Sequence, residues 1–107
     1  MNAPNRSPHF TALVAKQPDN ALFRFSLAQA LLTEKREADA VEHLEHCARG
    51  KADWMMPRIL LGKALLNLGR PSEAKPWLED ALRLAIEQDH QDPAAELQTL
   101  LAGLGNA

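Results

Sequence analysis

The sequence predicts an all-α protein built from a repeated pair of helices, and three observations support this. Its 107 residues are rich in Ala, Leu, Glu, Lys and Arg and contain few β-branched residues, a composition that favours helix over strand. A chain of this length is expected to bury one hydrophobic core. Two passages, residues 24–47 and 58–81, match each other at a constant offset. We therefore expect a single domain that contains a helical repeat.

The internal match has a period of 34 residues, the distance from Leu27 to Leu61 (61 − 27 = 34). Nine of the 24 positions from Arg24 to Cys47 are identical in the second copy, whereas roughly two would be expected by chance from average residue usage. Helices of similar composition would not hold one register across an intervening turn, so the match indicates a structural repeat. A simple helical bundle would keep the helices but would not explain the fixed offset.

The spacing of apolar residues places helices along the whole chain. In the first copy, Phe23, Leu27 and Leu31 recur every four residues, which is typical of one face of a helix. A second series with the same spacing begins at Ala40 and Leu44. The predicted helices cover residues 8–17, 20–34, 37–50, 54–68, 72–88 and 93–103.

Cap and turn residues mark the helix boundaries. Asn20 and Asp53 stand before the first helix of each copy, where N-cap residues are favoured. In the second copy Gly69 can take the left-handed conformation that ends a helix, and Pro71 suits the start of the next helix. The first copy has no glycine at this break, so Lys35 is expected to be left-handed at a cost of about 1 kcal/mol.

The repeat resembles the tetratricopeptide repeat (TPR), which has a period of 34 and a signature of Leu-Gly-x-x-Tyr followed by Ala-x-x-x-Phe. The better copy joins Leu61-Gly62-x-x-Leu65 to Ala74-x-x-x-Leu78, and the looser copy spans residues 27–44. Leucines thus replace both aromatic residues of the signature. The resemblance covers most of residues 8–105.

Arginine stands in both copies where the family has tryptophan, at Arg24 and Arg58. We expect each arginine to lay its aliphatic stem between helices and to extend its guanidinium to water or to a carboxylate. The proline that closes the family signature is also replaced, by Ala52 and Ile86.

The resemblance implies a TPR-like α-solenoid of antiparallel helix-turn-helix repeats, with about six helices in two full repeats flanked by single helices. The flanking helices are expected to act as caps, because an isolated hairpin cannot bury its apolar face. Within one domain, 1–107, we expect a leading helix at 7–19, repeat 1 at 20–53, repeat 2 at 54–88 and a terminal capping helix at 92–105.

The resemblance also implies a protein-interaction module or scaffold, with a concave groove lined by the first helix of each hairpin. Leu27, Ala28 and Leu31 must face neighbouring helices, so the groove residues should lie about 130° round the helix from them. Such a groove suits a peptide or an amphipathic helix of a partner protein. The candidate groove residues are Leu22, Phe25, Gln29, Thr33, Met56, Ile59, Lys63 and Asn67.

Two alternatives to the groove stay open. The apolar residues of this face could be core, covered by the N-terminal helix through Phe10, Leu13 and Val14. The protein could also be a homodimer that pairs through the apolar edge left by an unfinished third repeat. Concentration-dependent mass in solution separates the dimer from the interaction module.

Charge and motif content argue against other classes of protein. The net charge is −2 with interspersed signs, so the basic stripe typical of nucleic acid binding is absent and no nucleic acid partner is expected. No segment resembles a signal peptide or membrane helix, so we expect a cytoplasmic protein without membrane contact. The sequence has no nucleophile elbow, P-loop or dinucleotide fingerprint, and neither an enzyme nor a cofactor is expected.

Metal binding is the most remote alternative. His43, His46 and Cys47 form an HxxHC motif, and ligands four residues apart can share one helical face. Cys47, however, occupies the place that Ala81 fills in the other copy, so it should point into the core. We therefore expect no metal site.

Overall fold

Residues 5–104, which the computed structural model describes, form six α-helices and no strand. Each predicted helix is present, with bounds within two residues of those expected, and the all-α repeat fold is confirmed. Residue 105, which the predicted terminal helix included, lies outside the described residues. The helices are α1 (Ser7–Lys16), α2 (Ala21–Thr33), α3 (Glu37–Gly50), α4 (Met55–Asn67), α5 (Pro71–Glu87) and α6 (Gln91–Leu104).

The helices pack in chain order, each against the next. The two hairpins are α2 with α3 and α4 with α5, and the single helices α1 and α6 flank them. Packing between α3 and α4 joins the hairpins into one row. This arrangement leaves one side of each first helix available for other contacts.

Equivalent repeat positions fill the core in both hairpins. The apolar spacing that predicted the helices also places these residues between them, where a fully buried leucine stabilises the fold by about 1.5–3 kcal/mol. A single cluster of side chains spans both hairpins and includes Leu97 of α6. The equivalent buried pairs are Leu27 and Leu61, Ala28 and Gly62, Leu31 and Leu65, Ala40 and Ala74, and Leu44 and Leu78.

The two predicted N-caps differ in outcome. Asn20 caps α2, because its Oδ1 accepts a hydrogen bond from the backbone N–H of Phe23 at 3.1 Å. Asp53 does not cap α4, and this prediction was wrong. The helix begins at Met55, one residue later than expected, so Trp54 takes the N-cap position without a side-chain hydrogen bond. The carbonyl of Asp53 instead accepts from Gln88 Nε2 at 2.8 Å.

Three helices end in the same turn, with a residue of positive φ just after the last helical turn. These residues are Lys35 (φ 61°), Gly69 (φ 73°) and Asp89 (φ 60°), so the predicted left-handed conformation of Lys35 is confirmed. The N–H of the following residue then bonds to the carbonyl five residues earlier, as in the Schellman motif. These bonds join Arg36 to Leu31 at 2.8 Å, Arg70 to Leu65 at 2.9 Å and His90 to Ala85 at 2.8 Å.

Candidate interaction surface

The predicted groove residues share one side of α2 and one side of α4, because they recur every three or four residues on helices that are both present. We call this side the inner face. Its members on α2 are Leu22, Phe25, Gln29 and Thr33, and its members on α4 are Met56, Ile59, Lys63 and Asn67.

Two large apolar side chains of the inner face are exposed to solvent. Leu22 is 68% exposed and Met56 is 42% exposed, and they occupy the same place in successive repeats (56 − 22 = 34). Gln29, Thr33 and Asn67 are also exposed. The inner face therefore presents apolar and polar groups together, which is the composition of many partner-binding surfaces.

An aromatic pair joins the two halves of this surface. The rings of Phe25 and Trp54 have centroids 5.0 Å apart and an interplanar angle of 43°. Contacts of this kind stabilise a structure by about 0.5–1.5 kcal/mol beyond the area that they bury. Trp54 was not among the predicted groove residues, although its ring contacts Phe25, which is one of them. Its position directly before α4 is the signal that could have placed it there.

Ile59 is not accessible on this surface. Only 7% of it is exposed, and it belongs to the hydrophobic core cluster. The alternative interpretation, in which apolar residues of this face belong to the core, therefore describes Ile59. The spacing of residues places the candidates on one side of α4, but it could not predict how deeply the neighbouring helices would cover that side. Phe10 and Val14 of α1 pack against the core cluster, but Leu22 of the inner face remains exposed.

Lys63, one of the predicted groove residues, pairs with Glu96 of α6 within the chain. Both side chains are about half exposed. An exposed ion pair of this kind contributes at most about 1 kcal/mol. A carboxylate on a partner could therefore replace Glu96 at a small cost in free energy. While Lys63 and Glu96 are paired, their charges cancel and add no net charge to the inner face.

The two repeat arginines differ in burial and in contacts. Arg58 is buried, and its Nε donates to Asp80 at 2.5 Å. Arg24 is half-buried, its Nε donates to the carbonyl of Pro18 at 2.6 Å, and its Nη1 lies 3.2 Å from His43 Nδ1. Arg58 thus reaches a carboxylate as predicted, whereas Arg24 has no ion pair within residues 5–104.

The cysteine of the HxxHC motif points into the core. Cys47 is fully buried and its Sγ donates to the carbonyl of Ala21 at 3.4 Å. Burial raises the pKa of the Cys47 thiol to about 11, against a small opposing effect of Arg24, so the thiolate that a metal needs is scarce. Burial, followed by the charge of Arg24, lowers the pKa of His43. Across residues 5–104 no three His, Cys, Asp or Glu side chains are grouped to hold a metal ion.

Within residues 5–104, no helix combines the length and the apolar character needed to cross a bilayer.

The row of hairpins and the inner face define a helical-repeat protein, and comparison with known proteins identifies the family. Tetratricopeptide repeat models match residues 7–51 and residues 58–85. The TPR repeat-containing protein PA0015 of Pseudomonas aeruginosa is 30% identical over 95 residues, which cover 89% of this chain and 90% of that protein. The chain belongs to the tetratricopeptide repeat family.

A solved structure shows the same fold. The solution structure of protein BPP2914 from Bordetella parapertussis has a TM-score of 0.75 to this chain and is 27% identical to it. The match covers 97% of this chain and 89% of that one. Tetratricopeptide repeats generally mediate protein–protein interactions and are generally not enzymes.

Proposed function

We propose that the protein is a non-enzymatic interaction module, or scaffold, that binds a peptide or an amphipathic helix of a partner protein on its inner face. The observation that carries the proposal is the exposure of Leu22 and Met56 at equivalent places in both repeats. A large apolar side chain that moves from water into an interface contributes about 1.5–3 kcal/mol when it is fully buried. Two such anchors on adjacent hairpins suit a partner that spans both.

Leu22, Phe25, Trp54 and Met56 make up what we call the apolar patch. Leu22 lies one helical turn before Phe25, and Met56 follows two residues after Trp54. The contact between the two rings brings these segments together. Apolar anchors that cluster around aromatic residues carry most of the binding energy in many interfaces.

Polar residues of the inner face suit the ends of a bound segment. Gln29, Thr33 and Asn67 are exposed beyond the apolar patch and can exchange hydrogen bonds with a partner backbone. The charge of Lys63 is balanced by Glu96. Apolar anchors are therefore favoured over acidic residues as the main feature of the partner. Ile59 is buried beneath this surface and supports its packing.

We also propose boundaries for the repeats and a cellular compartment for the protein. We assign repeat 1 to residues 20–53 and repeat 2 to 54–88, flanked by a leading helix at 7–19 and a capping helix at 92–105. We further propose a cytoplasmic protein, since its single cysteine cannot form an internal disulfide.

Lysate capture with a pair of matched variants tests this function. Leu22→Glu with Met56→Glu places two charges on the apolar patch, and both residues are exposed, so the fold should persist. Ile86→Glu is the control, because Ile86 is 61% exposed but lies at the end of α5, outside the inner face. Circular dichroism and urea denaturation establish that all three proteins are folded.

We expect specific lysate proteins to be captured by wild type and by the Ile86→Glu control but not by the double variant. A peptide from such a protein should then shift the NMR signals of Leu22 and Met56. Equal capture by wild type and the double variant would overturn the proposal. Capture of the protein's own chain alone, with a mass in solution that grows with concentration, would favour the homodimer instead.

A further inference from the structure

A cleft of about 450 Å³ lies between α1 and α3, away from the inner face. Val14 of α1 and the core residues Leu27 and Leu31 of α2 contribute an apolar lining. Ala15 of α1 and His43 of α3 line it from the two flanking helices. Pockets of 300–1,000 Å³ with apolar linings and a few polar groups are typical of ligand sites.

The repeat explains why this cleft is open. The counterparts of Ala15 and His43 in the next unit are Arg49 and Trp77 (49 − 15 = 34; 77 − 43 = 34). There the Arg49 guanidinium carbon lies 5.9 Å from the centre of the Trp77 ring, a cation–π contact that joins α3 to α5. A methyl group and an imidazole cannot fill the equivalent space between α1 and α3.

A second pair of positions shows the same difference. Thr11 and Arg36 line the cleft, and their counterparts are Glu45 and Arg70. The pKa of Arg70 is raised, mainly by its hydrogen bond to Glu73 and in smaller part by the charge of Glu45. The charge of Glu45 therefore acts on Arg70, whereas uncharged Thr11 cannot act on Arg36 in this way.

One carboxylate at the rim of the cleft has no ion pair in the part of the chain that the structure describes. Arg36 is balanced by Asp39, whose Oδ2 lies 3.0 Å from its Nε. Glu42 also lines the cleft, is exposed, and has no ion pair within residues 5–104. A positively charged side chain beside the cleft can therefore pair with Glu42.

We propose that the cleft between α1 and α3 is a second binding site, which takes an aromatic side chain and an adjacent basic residue from a peptide segment of another protein. The ring fills the space beside Ala15 and His43 that the Arg49–Trp77 pair fills in the next unit. The basic residue pairs with Glu42. This site is separate from the apolar patch and does not depend on the proposed function of the inner face.

Two blocked dipeptides test the site, N-acetyl-Trp-Arg-amide and N-acetyl-Trp-Glu-amide. They share the aromatic ring and differ in the sign of the charge. Titration into the ¹⁵N-labelled protein should shift the signals of Val14, Ala15 and His43 with the Trp-Arg dipeptide, at millimolar concentrations typical of a fragment this small. The Trp-Glu dipeptide should bind roughly fivefold more weakly, the effect of one exposed ion pair.

Three variants complete the test. Ala15→Arg with His43→Trp copies the Arg49–Trp77 pair into the cleft, and it should abolish the shifts while the protein stays folded by circular dichroism. Glu42→Gln changes one exposed side chain and should weaken the Trp-Arg dipeptide roughly fivefold but not the Trp-Glu dipeptide. The Leu22→Glu, Met56→Glu protein should bind as wild type does.

Each contrary result would overturn the proposal. These results are the absence of shifts with wild type, equal affinity for the two dipeptides, shifts that lie outside the cleft, and binding that persists in the filled variant.

Discussion

Arg58 of α4 and Asp80 of α5 form an ion pair of 2.5 Å that joins the two helices of the second hairpin. The same guanidinium donates to the carbonyls of Ala48 at 2.9 Å, Trp54 at 2.8 Å and Lys51 at 3.2 Å, at the end of α3 and in the turn after it. One buried side chain therefore connects α3, α4 and α5 at the junction between the repeats.

Arg58→Ala is expected to lower the free energy of unfolding by about 3 kcal/mol, because it removes one donor from the Asp80 carboxylate and the guanidinium donors from three backbone carbonyls. Asp80 keeps its second partner, Arg83, which limits the loss. Arg24→Ala is the matched control and should cost about 1 kcal/mol, since Arg24 has no carboxylate partner within residues 5–104. Urea denaturation measures both. Equal losses for the two variants would show that burial of Arg58 adds nothing.

Gly62 and Leu78 are packed so closely that the glycine has a steric role. A Cβ on Gly62 would lie 2.3 Å from Leu78 Cδ2 and 2.5 Å from its Cγ. We expect Gly62→Ala to destabilise the fold by about 1 kcal/mol, because overpacking costs about 1–3 kcal/mol and the gain in helix propensity returns about 1 kcal/mol. Chemical denaturation measures the change.

A double-mutant cycle with Leu78→Ala checks the cause. Removal of the leucine side chain makes room for the methyl group, so the double variant should be more stable than the sum of the single changes by about 1–2 kcal/mol. Additive losses, or a Gly62→Ala protein that is more stable than wild type, would contradict the steric explanation.

Most of the fold could be predicted from the sequence, because the two helices of the first hairpin recur in the second copy. The period of 34 fixed the helices and their equivalence, and the pattern of small and large residues placed Leu44 and Leu78 in the core. The N-cap at Asp53 failed because its prediction required the exact first residue of α4, which shifted by one. Local patterns predict the existence of an element better than its end.

The candidate surface was less predictable, since it depends on contacts between distant residues. Helical spacing places the candidate residues of α4 on one side, but it does not predict the burial of Ile59 or the pairing of Lys63 with Glu96, 33 residues later (96 − 63 = 33). The cleft between α1 and α3 was not predicted. Comparison of Ala15 and His43 with Arg49 and Trp77 would have indicated it, because small residues replace large ones at matched positions.

Lys35 and Gly69 provide a reciprocal test of backbone conformation, since both have positive φ at the end of a first helix. Lys35→Gly should stabilise the protein by about 1 kcal/mol, because glycine takes this conformation without the steric cost of a Cβ. Gly69→Lys should destabilise it by a similar amount. Thermal unfolding should show shifts of about 5 °C in opposite directions for a domain of this size. Shifts of the same sign would show that side-chain contacts, rather than backbone conformation, decide the effect.

Glu34, directly after α2, forms hydrogen bonds with the first residue of α1. Its carboxylate accepts from the Ser7 hydroxyl at 2.8 Å and from the Ser7 N–H at 3.1 Å, and Ser7 is buried. The hydrogen bond from the Ser7 hydroxyl is the main cause that lowers the pKa of Glu34; burial opposes it, and the Ser7 N–H and Arg36 lower the pKa further. The carboxylate is thus the form that stabilises the docking of α1.

This pairing predicts that α1 loosens before the core as the protein is acidified. A folded pKa below the unfolded value, about 4.3 for glutamate, means that the stabilisation is complete above that value and is lost as the pH falls through the folded pKa. Amide exchange, expressed as protection factors, should show α1 losing protection over the range below about pH 4.3 while α4 retains it. Glu34→Gln removes the titrating group, so its α1 should show weaker protection that changes little over this range. If α1 and α4 lose protection together, and the variant behaves as wild type does, then Glu34 does not control the docking of α1.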